Sequence, residues 1–372
     1  MSNQDGGGSQ SLVEATGSAG RVAVIGRDGW LTGRRIFGAL RSRFGLIVAW
    51  LALIVVFGLV EGGTFLNRAT LSGIFGTQSV LVVVALGLLF PLTAGDYDLS
   101  VGGNISLSMM LVAILNVNLH LPVLAAVAVA LSVGALVGVV NGAITVAFDI
   151  NPFIVTLGTG TVLDGITYWI SGSNTVSNVS SNLSKWTFTE QIGGISLEFY
   201  FCVVIAAVIW LVFNYLRGGR HLLYTGQNRN VAKLSGVRIG LARSYAFVAC
   251  GILASVAGVL YVGTSGGASP GAGDSYLLPA YAAVFLGATT IVPGRFNPWG
   301  TLVAVYFLVT GITGLTLLGA SSYVQDLFYG GALVFAVIFS RLSAGGGWPW
   351  GRGRYAGQGP SEAAQQGSQV HS

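Results

Sequence analysis

The sequence is short of charge. Only 8% of its 372 residues are Asp, Glu, Lys or Arg, whereas an ordinary soluble domain has about a quarter. This shortage excludes an ordinary soluble domain. Apolar residues fill the gap: they make up 53% of the chain, and the mean hydropathy is +0.73. Because a membrane-spanning helix needs about 20 mostly apolar residues, the composition predicts several spans.

The residue types that carry most catalysis and metal binding are also scarce. The two lysines, Lys185 and Lys233, lie outside any G-x-x-x-x-G-K-[ST] motif, so the chain has no phosphate-binding loop of that type. The three histidines include no pair with metal-ligand spacing, and no Ser or Cys nucleophile has an evident partner base. We therefore predict no catalytic residue, no metal site and no cofactor bound by this chain, which disfavours an integral-membrane enzyme.

Apolar runs recur along the chain and predict an all-α integral membrane protein with about ten transmembrane helices. The two cysteines, Cys202 and Cys250, fall inside these runs, which predicts buried thiols and no disulfide. The runs cover residues 44–60, 71–92, 101–117, 121–147, 153–170, 199–216, 244–263, 276–292, 298–318 and 323–340.

Residues 44–342 are predicted to form one transmembrane domain between two polar tails. Residues 1–43 form an N-terminal tail whose first part is Gly/Ser-rich, a composition typical of disorder. Within this tail, residues 30–43 interleave Arg with apolar side chains. That pattern predicts an amphipathic helix on the inner membrane surface or a basic flank that orients the first span. Residues 343–372 form a C-terminal tail.

Residues 217–243 are the only long polar, basic stretch inside the apolar body, and we call them the basic segment. They carry six Lys or Arg and no acid. Ten spans would place this segment and both termini on one side, together with every basic residue except Arg68 and Lys185. The positive-inside rule makes that side the cytoplasm. A net charge of +5 could also indicate nucleic-acid binding, but the charges flank apolar runs, so we predict none.

Glycines indicate how the helices are arranged. Two Gly-rich interruptions, residues 93–103 and 292–300, each separate two apolar runs. Corresponding interruptions in two halves are typical of transporters built from repeats, although two ordinary interhelical turns would look the same. Gly134, Gly138 and Gly142 lie on one helix face, which predicts close packing of two helix backbones.

Four stretches, in this order, resemble the permease subunit of bacterial ABC sugar importers of the ribose type. Residues 92–103 resemble the family's Gly-Asp/Leu-Ser-Val-Gly signature, and residues 140–159 carry its Asn-Pro-Phe-Ile-Val-Thr-Leu-Gly-Thr element. The resemblance covers roughly residues 44–342. The stretches are LTAGDYDLSVGG (92–103), VNGAITVAFDINPFIVTLGT (140–159), YTGQNRNVAKLSGVRI (224–239), and a run from Tyr281 through PGRFNPWGTL (293–302) to SSYVQDLFYG (321–330).

The resemblance implies a multi-pass protein of the bacterial cytoplasmic membrane, with interrupted helices and a cytoplasmic coupling loop. Its partners would be a second permease subunit in a homodimer or heterodimer, ABC ATPase subunits that hydrolyse ATP, and an extracytoplasmic sugar-binding protein. The substrate would be a monosaccharide, ribose-like, xylose-like or related. The alternative is an ion-coupled secondary transporter of a small polar solute, which would need no ATPase.

The resemblance also implies that the basic segment holds the ATPase-coupling residues Gly226, Asn230, Ala232 and Gly236. In the family this place usually reads Glu-Ala-Ala with a Gly a few residues on. Here the acid is absent, which puts the local ion pairing in doubt. The alternative is a solvated basic loop that only sets topology.

Six polar residues are candidates for the substrate pathway. Because polar turn residues commonly cap helices, capping is the other role predicted for most of them. Asp164 differs, since an acid inside an apolar run costs on the order of 3 kcal/mol on insertion scales and usually faces a cavity or the bundle interior. It either lines the pathway and accepts hydrogen bonds from sugar hydroxyls, or the helix begins later and leaves it near the outer interface as a cap or in a salt bridge. The candidates are Asp96, Asp98, Ser100, Asn151, Asp164 and Asn297.

Overall fold

The computed structural model describes residues 28–76, 78–185, 191–192 and 195–343, with side chains for those between 44 and 339. The chain divides into two compact units, Met1–Arg41 and Ser42–Ser372. In the first unit the described backbone is helical. The predictions for the Arg-rich face of residues 30–43 and for the C-terminal tail lie outside the described side chains.

The described part of the chain is almost wholly helical. The α-helices are α1 Asp28–Val60, α2 Arg68–Gly76, α3 Ser79–Ala94, α4 Val101–Val117, α5 Val123–Ala147, α6 Pro152–Ser171, α7 Ser181–Ser184, α8 Leu197–Tyr215, α9 Arg217–Gln227, α10 Arg229–Leu234, α11 Ile239–Ser265, α12 Leu277–Gly287, α13 Pro298–Leu317 and α14 Tyr323–Ser343. The strands are β1 Val176–Ser177, β2 Gln191–Ile192, β3 Ile195–Ser196 and β4 Gly267–Ala268, and a 3-10 helix covers Ala272–Tyr276.

The strands form two short antiparallel ladders, β1 with β4 and β2 with β3. The β1–β4 ladder pairs Val176 with Ala268 and so joins the C-terminal ends of α6 and α11. Within the described residues these ladders are the only sheet, which confirms the all-α prediction.

Seven helical segments among the described residues are long and apolar enough to span a membrane. Two further apolar helices, residues 44–60 and 101–117, are shorter. Each of the ten predicted runs contains α-helix, and the count of ten crossings stays a prediction. One predicted run is too long. It covered residues 276–292, but α12 ends at Gly287. The seven segments are Arg68–Ala94, Val123–Ala147, Pro152–Ser171, Leu197–Tyr215, Ile239–Ser265, Pro298–Leu317 and Ser322–Phe339.

Helix α3 forms the centre of the bundle. All 16 of its residues are buried, and it packs against α8, α11, α12 and α13. Since the helix is apolar on every face, it is most stable when neighbours surround it. Cys202 on α8 and Cys250 on α11 are free and buried, which confirms the prediction of buried thiols without a disulfide.

The glycine face of α5 packs directly on α11. A Cβ on Gly142 would lie 2.8 Å from the Cα of Ser244, and one on Gly134 would overlap Ser255. The predicted close approach of two helix backbones is therefore confirmed, and α11 is the helix that approaches.

Both predicted interruptions separate two helices. The first break, residues 95–100, lies between α3 and α4, and Gly95 turns the chain there with a φ of +83°. The second break, residues 288–297, lies between α12 and α13. Gly102, inside the predicted interruption, belongs to α4, where a Cβ would be 2.6 Å from Asp274 Oδ1. Close packing explains this glycine.

The connection between α11 and α12 follows a course that was not predicted. After α11, residues 266–271 lead into the 3-10 helix, which packs on the first turns of α4. There the Gly273 amide donates a 3.0 Å hydrogen bond to Ser106 Oγ. The connection between α11 and α12 therefore returns into the bundle instead of crossing its end as a simple loop.

Candidate functional site

The backbone of the first break is satisfied by side chains from other helices. Tyr281 Oη on α12 accepts from the Asp98 amide at 3.1 Å and donates to the Asp98 carbonyl at 3.0 Å. Thr156 Oγ1 on α6 accepts from the Leu99 amide at 3.0 Å. Non-helical backbone at membrane depth is tolerated only where protein groups or water satisfy it. The break is thus an integral part of the bundle, and side chains of α6 and α12 hold its backbone in place.

Asp98 and Ser100 are fully buried and bond within the break. Asp98 Oδ1 accepts from the Ser100 amide at 3.0 Å and from Ser100 Oγ at 2.6 Å. Asn141 Nδ2 on α5 donates to the same Ser100 Oγ at 2.8 Å. These contacts give both residues a structural role in the break, and their place in a substrate pathway stays a prediction.

Asp96 accepts three hydrogen bonds from two arginines. Arg243 on α11 donates from Nε to Oδ2 at 2.7 Å and from Nη2 to Oδ1 at 3.1 Å. Arg229, the first residue of α10, donates from Nη2 to Oδ1 at 2.8 Å. The Asp96 side chain is 0% exposed, against 7% for Arg243 and 45% for Arg229. A buried carboxylate needs such partners, so Asp96 ties the first break to both α10 and α11.

The basic segment is folded rather than a loose loop. It forms α9 and α10, and the Asn228 side chain caps α10 by accepting from the Asn230 and Val231 amides at 3.0 and 3.2 Å. Gly226, at the end of α9, lies so close to α3 that a Cβ would overlap the Thr93 carbonyl oxygen. The segment is therefore attached to the end of α3 as well as to Asp96.

The predicted coupling residues lie in different surroundings. Asn230 and Gly236 are exposed, and Gly236 has a φ of +79°. Ala232 is only 2% exposed, because α10 packs back on the bundle with this side. The outward face of α10 carries two apolar side chains that sequence reasoning passed over, Val231 at 58% and Leu234 at 89% exposure. Their spacing of three residues on a short helix was the available signal.

A cavity of about 580 Å³ lies beside the first break. Asn151 is in its lining, and its Oδ1 also accepts from the Phe153 amide at 3.0 Å, which caps α6. The predicted capping role of Asn151 is confirmed. Other lining residues come from the first break, the α5–α6 connection, the start of α6 and the arginines that bind Asp96. They include Asp96, Tyr97, Asp149, Phe153, Arg229 and Arg243.

Asn297 closes the second break. Its Oδ1 accepts from the Gly300 amide at 2.7 Å at the start of α13, which confirms capping. Its Nδ2 donates to the carbonyl oxygens of Gly287 at 3.2 Å and Arg295 at 3.1 Å. The side chain is turned inward and 8% exposed, and its membership of a pathway stays a prediction.

Asp164 lies in the middle of α6. The helix begins at Pro152 and ends at Ser171, so the alternative that placed Asp164 near a helix end is wrong. Asp164 Oδ1 is buried, and no described residue bonds to it. A Cβ on Gly103 would lie 3.2 Å from this oxygen. The acid therefore packs against the start of α4 without a counter-ion among the described residues.

A second acid, Asp274, approaches the same end of α4. Gly102 and Gly103 are neighbours in the chain, and an added Cβ would meet Asp274 on the one and Asp164 on the other. Burial raises the pKa of Asp274 above its ordinary value. Sequence reasoning missed Asp274, although it stands in a Gly-Ala-Gly-Asp stretch like the Ala-Gly-Asp of the first break. Within the described ranges, no three His, Cys, Asp or Glu side chains gather as metal ligands would.

Asp164 lies on one flank of α6 together with exposed side chains. Leu157 and Tyr168 are 51% and 45% exposed there, and Thr161 and Asp164 share the flank at helical spacing. A Cβ on Gly271 would lie 2.6 Å from Tyr168 Oη, so this flank borders the α11–α12 connection. In the single chain, Leu157, Thr161 and Tyr168 on this flank are exposed.

Residues 70–337 match the family model described as the branched-chain amino acid transport system / permease component. The chain belongs to this permease family. The match takes in both breaks, the basic segment and the flank of α6 that carries Asp164.

Curated relatives cover most of the chain. It is 31% identical over 312 residues to the ribose import permease protein of Escherichia coli, covering 83% of this chain and 97% of that protein. It is 30% identical over 317 residues to the galactose/methyl galactoside import permease protein of Salmonella typhimurium, covering 80% and 94%. It is 29% identical over 306 residues to the D-allose transport system permease protein of Escherichia coli, covering 82% and 94%. These findings confirm the resemblance to sugar-importer permeases. No solved structure matches the chain.

Proposed function

We propose that this chain is the membrane subunit of an ATP-driven importer that carries a ribose-like, xylose-like or related monosaccharide into the cytoplasm. The relatives are permeases for ribose, galactose and allose, which supports a small polyhydroxy substrate. ATP would be hydrolysed by ATPase subunits, since the chain carries no phosphate-binding loop of the G-x-x-x-x-G-K-[ST] type.

The outward face of α10 is the observation that carries the ATP-driven proposal. Val231 and Leu234 are apolar and exposed on α10, whose other exposed residues are polar or basic. Exposed apolar side chains rimmed by polar residues mark protein interaction sites, and a short helix that fits a groove is a common mode of docking. We assign this face, with Asn230 and Gly236 beside it, to the contact with the ATPase.

The substrate pathway is proposed to run along the polar flank of α6. Asp164 offers a carboxylate to sugar hydroxyls, and Tyr168 offers an aromatic face, while Asp274 faces the same end of α4. Ligand sites combine apolar and aromatic walls with a few placed polar groups. A second permease subunit would close the open flank, and the cavity beside the first break, with Asn151 in its wall, would be the cytoplasmic end of the pathway.

The proposed orientation places the basic segment and both termini in the cytoplasm. Its support is the distribution of charge, with Arg68 and Lys185 the only basic residues on the other side. Lys185 directly follows α7, which packs on α11, and the nearby Val179 amide donates to Gly266 at the end of α11 farthest from the basic segment.

Reconstitution tests the proposal. The chain would be placed in proteoliposomes with its ATPase subunit and sugar-binding protein, and uptake of labelled ribose, xylose, galactose and allose would be measured. We expect uptake of one of these sugars that needs both ATP and the binding protein. Uptake by the chain alone, driven by a proton or sodium gradient, would establish the alternative secondary transporter, for which the unpaired Asp164 would be the ion-binding acid.

A further inference from the structure

Asp96 forms ion pairs with two arginines, and the two pairs differ in burial and in the number of hydrogen bonds. Arg243 is almost fully buried and binds both carboxylate oxygens, whereas Arg229 is 45% exposed and binds one. A bidentate buried pair is strong, and breaking it leaves an uncompensated charge. A half-exposed single contact is weak and exchangeable. Arg229 can therefore leave Asp96 while Arg243 still neutralises the carboxylate.

The two arginines also belong to different parts of the molecule. Arg243 lies within α11, a helix that packs on α3, α4 and α5. Arg229 begins α10, the helix whose outward face carries Val231 and Leu234. A partner that pulls on this face acts on Arg229, which lies two residues before Val231 on the same helix. Asp96 thus lies between a fixed contact and a movable one.

The movable contact borders the cavity beside the first break. Arg229 and Asp96 both line this cavity, together with Tyr97 of the break, Asn151 of the α5–α6 connection and Phe153 of α6. On the side of α10, the cavity wall is formed by Arg229 and its ion pair with Asp96. Displacement of α10 from Asp96 would therefore widen the cavity at this wall.

We propose that Arg229, through its ion pair with Asp96, is the positioning residue that transmits movement of α10 to the first break and opens this cavity during transport. The inference rests on the proposed function and adds the residue pair through which ATP hydrolysis acts on the pathway. Loss of the pair should leave ATP hydrolysis intact and reduce the amount of sugar moved for each ATP.

The test uses the assembled transporter in proteoliposomes and measures sugar uptake and ATP hydrolysis in the same preparation. Arg229→Gln removes the charge from a half-exposed site, and Arg229→Lys keeps it and can still reach one carboxylate oxygen. Arg217→Gln is the matched control, because it removes a charge from the exposed start of α9 without touching Asp96. Binding of the ATPase subunit is measured separately for each variant.

We expect Arg229→Gln to lower sugar moved per ATP by about tenfold, within the range reported for residues that couple two sites. Arg229→Lys should keep most of this ratio, and Arg217→Gln should keep all of it. A wild-type ratio in Arg229→Gln would overturn the inference, and so would an equal loss in Arg229→Lys, which preserves the ion pair. A wild-type chain that moves no sugar with its ATPase would instead overturn the proposed function.

Discussion

Gly138 of α5 lies directly against the backbone of Phe247 on α11. A Cβ at this position would overlap the Phe247 carbonyl oxygen and lie 2.5 Å from the Cα of Val248. Backbone atoms cannot swing aside as side-chain ends do, so this contact sets the distance between the two helices. Since α11 also carries Arg243, the contact fixes the helix that holds Asp96.

Adding one methyl group at this contact should destabilise the bundle. We expect Gly138→Ala to lower the free energy of unfolding by about 1–3 kcal/mol, the usual effect of overpacking a tight interface. The control is Gly158→Ala on α6, where no atom lies within 4 Å of the added Cβ. The midpoint of thermal unfolding in detergent measures both, and equal midpoints for the two variants would contradict the close contact.

Impermeant thiol labelling of intact cells can decide the orientation. Lys233→Cys, on exposed α10, should react only after the membrane is opened, whereas Lys185→Cys should react from outside. The native thiols Cys202 and Cys250 are buried, so the unmodified chain provides a low background and serves as the control. Labelling of the 233 position in sealed cells would refute the cytoplasmic placement of the basic segment.

Leu234 is expected to carry much of the contact with the ATPase. It is 89% exposed, so Leu234→Asp should not disturb folding, yet it places a carboxylate in an apolar contact. We expect loss of ATPase co-purification and of uptake, with unchanged expression and thermal midpoint. Leu234→Met keeps an apolar side chain and should behave like the native chain. Normal ATPase binding by Leu234→Asp would remove α10 from the docking surface.

Two replacements of Asp164 separate its charge from its hydrogen-bonding capacity. Asp164→Asn should retain partial uptake, because the amide still bonds to hydroxyl groups, whereas Asp164→Leu should lose uptake. Val162→Ala is the control, because residue 162 is on α6 but on its other, apolar flank. Uptake, expression and ATPase binding are measured together. Normal uptake by Asp164→Leu would show that this acid plays no part in the pathway.

Local sequence patterns were sufficient for much of the fold. Apolar runs marked the helices, and the Asn-Pro pairs at 151–152 and 297–298 marked two helix starts, where each Asn side chain caps the following helix. The spacing of Gly134, Gly138 and Gly142 indicated a packing face. Each of these signals involves neighbours in the chain, so hydropathy, capping and helical periodicity can be read directly.

The rest of the site depends on contacts across the chain. Asp96 meets Arg229 and Arg243 over separations of 133 and 147 residues, and no local pattern indicates which arginine will reach a given acid. Ala232, one of the coupling residues that the resemblance implies, is turned inward by the tertiary packing of α10, and no local pattern indicates this burial. Asp274 was overlooked for the same reason: its loop looks like an ordinary connection until the chain returns to α4.

The shared carboxylate of Asp96 also has a consequence for biosynthesis. Asp96 is translated 133 residues before Arg229 and 147 residues before Arg243. At a synthesis rate of about 5–20 residues per second, roughly 7–30 s pass between the synthesis of Asp96 and that of its buried partner Arg243. During this interval the nascent chain carries an unpaired acid beside α3, the helix that will become the centre of the bundle. The N-terminal part of the chain therefore cannot reach its final structure before α11 has been made and inserted.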